Sequence, residues 1–582
     1  MKKLIFICAF FLMGCSQENV DSYDKLTEEQ SLEIKEYITN QVTNGRKIDL
    51  KKEYGTNLKG LKLTSANLSG VDLSGVDLSE SQIARVDFSG ANLKGVIFNK
   101  ATIQESDFSN VTFNKLNASG VDFQASIFNN TIFSHVNLSH ANFEEADLTK
   151  ATISESRLDG INLAKAIMRN ITITNVNLQK ANLMSANLKN AQISDSTFFG
   201  VDIRGANLSQ AKIHKCSFES SDLSGMIAEG ASFVQTDFSQ AIIDDAKFTK
   251  GTQFKFSVFP NSSMQRIEFD NVLISNGCVL QNISMTSADL VGVTIKDTVI
   301  DNVKIVGGLI SQLNANNIKG TNLLLNKVII KDSKITNSVI LDSIFSNANG
   351  NKIKFTNINF TGSIFDNYNF EGVSFSQTDL SKTIFRNNKI LRSNFTRSKL
   401  DQIAMINCNL EEVILNTSAV KNSQLRGVKS VAMVVSNSPF TNNIMFNNKG
   451  LDNISNKFPI TNIDELLARR DLSNMNMAYL DLSNINVQQI IFKNTVLKGV
   501  NFSNANLVSC LFIGVNLSDA NLTGANLSGS EITDTQFYGA TLDKTILKQT
   551  KLNNLDFTKA LTINLNLENA KMVNVTGIDE NN

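Results

Sequence analysis

Tryptophan is absent from this chain of 582 residues, and it holds only three prolines and three histidines. Ordinary usage would supply proline at roughly 5%. Proline has no N–H to give to a ladder, so a chain that sheds it needs nearly every backbone donor. Excess charge of either sign is missing as well: 55 basic side chains balance 55 acidic ones. That balance argues against a strongly basic nucleic-acid binder and against an acidic mimic of one, so no nucleic-acid partner is expected. GxSxG, a phosphate loop ending in GK[ST], HExxH and EF-hand spacing are all lacking. His135 and His140 lie five residues apart with no carboxylate or cysteine to complete a metal site. We therefore expect no enzyme, no cofactor, and neither catalytic nor metal residues.

What is present begins with Lys2 and Lys3, followed by an unbroken apolar run from Leu4 to Met13. Ten residues fit a signal peptide and are too few to span a bilayer. The run ends in Leu12-Met13-Gly14-Cys15, which resembles a bacterial lipobox. The resemblance implies loss of residues 1–14, diacylation of Cys15 and a membrane-anchored envelope lipoprotein. Met13 departs from the small residue usual at its place. Ser16 stands where aspartate would resemble an inner-membrane retention signal, so the outer membrane is the expected location.

The length exceeds what one compact core fills, so several domains or a long repeat array is expected. A period of five settles which. Every fifth residue from Leu58 to Phe248 is apolar, 39 positions in all. Chance at 42% apolar composition gives that on the order of once in 10^15. The residue two before each centre is mostly Ala, Val, Ser or Thr. The frame slips by one residue to run through Phe254, Phe259, Met264, Phe269 and Ile274. A second slip starts a third phase from Leu280 to Met445, and a fourth runs from Leu472 to Met572.

Units such as Ala66-Asn67-Leu68, Ala146-Asp147-Leu148 and Ala520-Asn521-Leu522 resemble the pentapeptide repeat family, whose consensus is A(D/N)LXX. The resemblance implies an all-β solenoid, a right-handed quadrilateral parallel β-helix with four repeats per coil. Centres point inward and stack on their equivalents 20 residues away, beside the small residue two before. The other three positions face water. The slips read as bulges at corners.

The organisation expected is a signal peptide (1–14), a lipidated tether (15–26), an N-terminal helical cap (27–55), repeats (56–445), an insertion with a short helix (446–471), repeats (472–574) and a polar tail (575–582). Thr27 and Gln30 form a capping box, with Ile34 and Ile38 on one face and Gly45 as the stop. A solenoid end is a bare strand edge, and this helix would cover the first coil. Residues 446–471 read as a loop projecting from a continuous stack, in preference to a cap dividing two stacks. No helical cap follows the last repeat, so that end is expected to meet a partner or a second copy, as in family members that dimerise there. Cys216, Cys278, Cys408 and Cys510 all sit two before a centre, many coils apart, and read as small buried side chains.

Threonine ladders would suggest ice or another regular surface, but the column 59, 79, 99 through 239 repeats nothing. The leading reading is a non-catalytic, lipid-anchored envelope scaffold displaying a long polar surface to a protein or surface partner. Ligand-binding residues are not specified by the sequence. The resemblance also implies two alternatives, a DNA-mimicking gyrase binder and a secreted effector. The export signal and the balanced charge stand against the first, and the lipid anchor against the second.

Overall fold

The computed structural model describes residues 25–578 apart from 452, 453, 455, 458 and 459. The expected signal peptide, Cys15 and most of the tether fall outside the described residues. The chain divides into two compact units, Met1–Ile227 and Ala228–Asn582.

Each unit is a parallel β-solenoid with a 20-residue coil. In the first, Lys62 pairs with Gln82, Thr112 with Ile132 and Thr172 with Gln192. Centres and the small residues two before them are buried, as at Ala141, Phe143, Ala146 and Leu148. Equivalent rings stack coil upon coil, Phe88 on Phe108 at 4.9 Å and Phe108 on Phe128 at 5.1 Å. Burying each such ring stabilises the fold by about 1.5–3 kcal/mol.

A coil of four sides must turn four corners, and one residue per repeat does it. Two places after nearly every centre the backbone is left-handed, for example Arg85 (φ 55°), Lys115 (φ 57°) and Asn130 (φ 56°). Non-glycine residues adopt that region uncommonly, and here the ladders on both sides hold it. In the first unit most corners are closed by a bond from the N–H three after a centre to that centre's carbonyl, as from Val71 to Leu68 (3.1 Å). Other corners are wider, and their N–H is met by a hydroxyl from the next coil. Val136 and Val176 donate to the Oγ atoms of Ser156 and Ser196, both at 3.1 Å. Inward serine at the small position is thus a hydrogen-bond partner as well as a space filler.

Two helices precede the first coil: α1 (Glu28–Thr43) and α2 (Leu50–Tyr54). The capping box is formed, with Thr27 Oγ1 accepting from the N–H of Gln30 and Gln30 Oε1 accepting from that of Thr27. Ser31, Ile34 and Ile38 are the buried face of α1. Ser31 Oγ accepts from the N–H of Lys62 (3.1 Å), and the Leu26 N–H donates to the Lys59 carbonyl (2.8 Å). The helix therefore satisfies groups on the edge it covers.

In the second unit both frame slips are 21-residue coils, with Ser232 opposite Gln253 and Ile274 opposite Ile295. The extra residue is absorbed at a corner by two successive left-handed residues, Lys250 and Gly251 (φ 50° and 84°), then Asn276 and Gly277 (φ 60° and 79°). Of the two glycine centres, Gly320 and Gly350, the second has its space filled by a neighbour. A Cβ there would lie 2.8 Å from the ring of Tyr368, a bulky residue in a small-residue position, so the two exceptions fill one space.

Residues 446–471 are not a loop on a continuous stack. The ladder shortens to a 16-residue step, Phe440 opposite Asn456 and Ile444 opposite Ile460. Helix α3 (Ile463–Ala468) follows, its N-cap Asn462 accepting from the N–H of Glu465 (2.8 Å). Leu466 is fully buried in one cluster with Ile444, Phe446 and Ile460. Repeats resume at Leu472 as a second stack beside the first. Asn476 Nδ2 donates to the carbonyl of Gln402 (2.7 Å), Gln402 Nε2 to that of Asn494 (3.2 Å) and Arg426 Nη2 to that of Tyr479 (3.1 Å). A cleft further along is lined by Asp342, Thr361 and Lys382 of the first stack and by Lys498, Gly514 and Asp534 of the second. Partners step down the first stack as they step up the second, so the stacks run antiparallel. The expectation of a projecting loop is corrected, and the physical reason is an apolar column on the outer face of the first stack.

Candidate interaction surfaces

The residue just before each centre points outward, and a column of such residues recurs every 20 positions. In the first unit one column reads Asp122, Asn142, Asn162, Asn182, Asp202 and Asp222. Its amides are bonded rung to rung: Asn142 Nδ2 to Asp122 Oδ1 at 2.8 Å, Asn162 to Asn142 at 2.9 Å and Asn182 to Asn162 at 3.1 Å. Another column reads Asn67, Asp87, Asp107, Ile127, Asp147 and Ile167, so its carboxylates are interrupted by isoleucine. Charges are also paired between coils, Lys165 with Glu145 (3.0 Å) in the first unit and Arg266 with Asp245 (2.6 Å) in the second. These exposed pairs stabilise little individually. They leave the flanks polar and mixed in sign.

The equivalent column in the second unit is aliphatic: Leu324, Ile344, Ile364, Ile384 and Ala404. Ile364, Ile384, Ala404 and Ile406 are buried with Ala478 and Val496, and Tyr479 packs against them. Tyr479 is the anchor. Its ring lies 4.4 Å from the guanidinium carbon of Arg386, which Asp366 holds through an Nε–Oδ1 bond of 3.0 Å. Past this contact the stacks part around the cleft, whose volume is about 200 Å3. Asp342 faces it from the exposed rim. Burial pushes its carboxyl above the usual range, while Lys498 and Lys382 pull it back down.

The other singled-out side chains are dispersed. Cys216, Cys278, Cys408 and Cys510 are buried free thiols and take the serine role at wide corners, as where Ser257 N–H donates to Cys278 Sγ (3.4 Å). Burial pushes the Cys216 thiol up to about 11 and that of Cys408 up to about 12. His135 Nε2 meets Glu155 at 2.6 Å, and the His140 ring lies over Gly160 on another side. Among the described residues no three His, Cys, Asp or Glu side chains converge on a metal site. At the C-terminal edge the strand Lys571–Thr576 pairs with Lys551–Asp556. Leu561, Ile563, Met572 and Val573 are all exposed there.

The family's sequence profiles match as a pentapeptide repeat region over residues 106–183 and as pentapeptide repeats in eight copies between residues 54 and 549. Together they cover more than half of the chain, which belongs to the pentapeptide repeat family. Solved structures similar to it include QnrB1, a plasmid-mediated fluoroquinolone resistance protein, at 18% identity over 44% of this chain and 92% of that one (TM-score 0.15). HetL from the cyanobacterium Nostoc sp. strain PCC 7120, described as involved in heterocyst differentiation regulation, matches at 13% identity over 59% and 90% (TM-score 0.10). Rfr23 from Cyanothece 51142 matches at 21% identity over 23% and 89% (TM-score 0.11). No curated protein matches the chain.

Proposed function

We propose that the protein is a non-catalytic scaffold of the bacterial envelope, anchored by a lipid on Cys15, whose solenoid flanks bind a protein or surface partner. One observation supports this reading above others: the polar side chains lie in bonded ladders on convex flanks, such as Asn142–Asn162–Asn182, which present a continuous surface to a partner. The anchor rests on the apolar run Leu4–Met13 and on Gly14-Cys15. The exposed apolar side chains around Met572 and Val573 suit an end-on contact with a second copy.

The test is metabolic labelling with a fatty-acid probe, with membrane fractionation, on the wild type and Cys15→Ser. Label and membrane residence lost only in the variant support the anchored scaffold. A soluble, unlabelled wild type overturns it and returns a gyrase-binding or effector role to consideration.

A further inference from the structure

We propose that the second stack, residues 472–576, is a releasable arm: it docks on the aliphatic column of the first stack in one state and detaches, still folded, in another.

Both stacks hold themselves up. The arm's coils are paired with one another from Ile491–Lys493 through Lys571–Thr576. Its rings stack internally, Phe492 on Phe512 and Phe537 on Phe557. No backbone ladder joins the flanks of the two stacks. What joins them along the flank is a short apolar strip, Ile364, Ile384, Ala404 and Ile406 against Ala478, Val496 and Tyr479, with one backbone bond from the Asn476 N–H to the Asn422 carbonyl (3.1 Å) and a few side-chain bonds around it; at the connection, Ile444 and Phe446 share an apolar cluster with Leu472 and Met475.

The strip is flanked by polar groups that docking leaves poorly served. Gln424 follows Ala404 in the same column and is fully buried, yet neither of its amide atoms has a partner. Arg426 gives one bond to the Tyr479 carbonyl, while its Nε has no partner. Buried polar groups without partners oppose the state that buries them, and release returns both side chains to water. Docking also stops short: Ile344 continues the strip yet is 37% exposed, and Tyr538 on the arm is 66% exposed. Apolar burial thus favours docking over a few residues, and desolvation of Gln424 and Arg426 opposes it at the same place. The pivot is the connection at α3 (Ile463–Ala468), directly before the arm begins at Leu472.

The experiment is site-resolved thiol labelling of the full chain carrying Ala404→Cys. Ala404 points outward by register, so only the arm covers it. The native Cys216, Cys278, Cys408 and Cys510 point inward and report the opening of the coils themselves. Lys304→Cys, exposed in the same column, gives the rate of an open site. Release predicts that Ala404→Cys labels at least tenfold faster than Cys408 and at least tenfold slower than Lys304→Cys. Adding Tyr479→Ala then speeds it at least fivefold, with the native thiols still protected. Labelling no faster than Cys408 means that the arm leaves only when the stacks open, which overturns the proposal. Labelling as fast as Lys304→Cys, unchanged by Tyr479→Ala, means that no docked state exists and overturns it equally.

Discussion

The columns Asn142–Asn162–Asn182 and Ile344–Ile364–Ile384 hold the same place in the repeat, one residue before the centre, on the same backbone. The first is a ladder of amides bonded to each other and open to water. The second is aliphatic, and where it is buried another stack lies on it. The outward position is therefore solvated by default, and successive aliphatic rungs there mark a flank that is covered.

Substitution can break or sharpen that contrast. The largest effect belongs to neither column but to the core they share. Phe108→Ala, between Phe88 and Phe128, should destabilise the first unit by about 3–5 kcal/mol, read as a fall in its urea midpoint. Next, Ile384→Asp places a carboxylate in the covered strip and should weaken docking by about 2–4 kcal/mol. Trypsin would then cut within 446–471 faster while fragments of both stacks persist; unchanged cleavage would deny that the column is the docking surface.

Alkaline pH probes the interior of both regions. A thiol whose folded pKa is raised contributes stability present below the unfolded pKa of 9.0 and lost as pH rises through the folded value. With Cys408 at about 12, roughly 2 kcal/mol should be gone by pH 10.5. Cys408→Ala should flatten that part of the urea-midpoint profile. At the N-terminal edge, Thr27→Ala should cost about 1 kcal/mol and speed amide exchange at Lys62–Thr64 without touching later coils. Least of all, Asn162→Asp on the solvated column should move the midpoint by no more than about 0.5 kcal/mol.

The five-residue frame made most of this fold legible. It located the inward centres, the small companions and the slips, and the capping box located the helix before them, because each is written in residues a few positions apart. The covered strip is written at a spacing of 20, and in which column it lies is not evident from repeats counted in fives. Tyr479 carried still less signal, since a tyrosine at a corner is distinguished only by the arginines that a second stack brings to it. Serine at the small position was readable as a space filler. Its bond to a wide corner, as between Ser393 and the N–H of Val373 (3.1 Å), depends on turn geometry that the consensus does not specify.

The antiparallel return of the second stack changes how the second unit responds to growth and load. Coils added after Leu472 thicken it instead of extending its reach. Two beams fastened along a flank resist bending more than either does alone, so the short seam at Tyr479 acts as a splint. A pull on the free end would peel that seam one residue at a time before any coil has to yield.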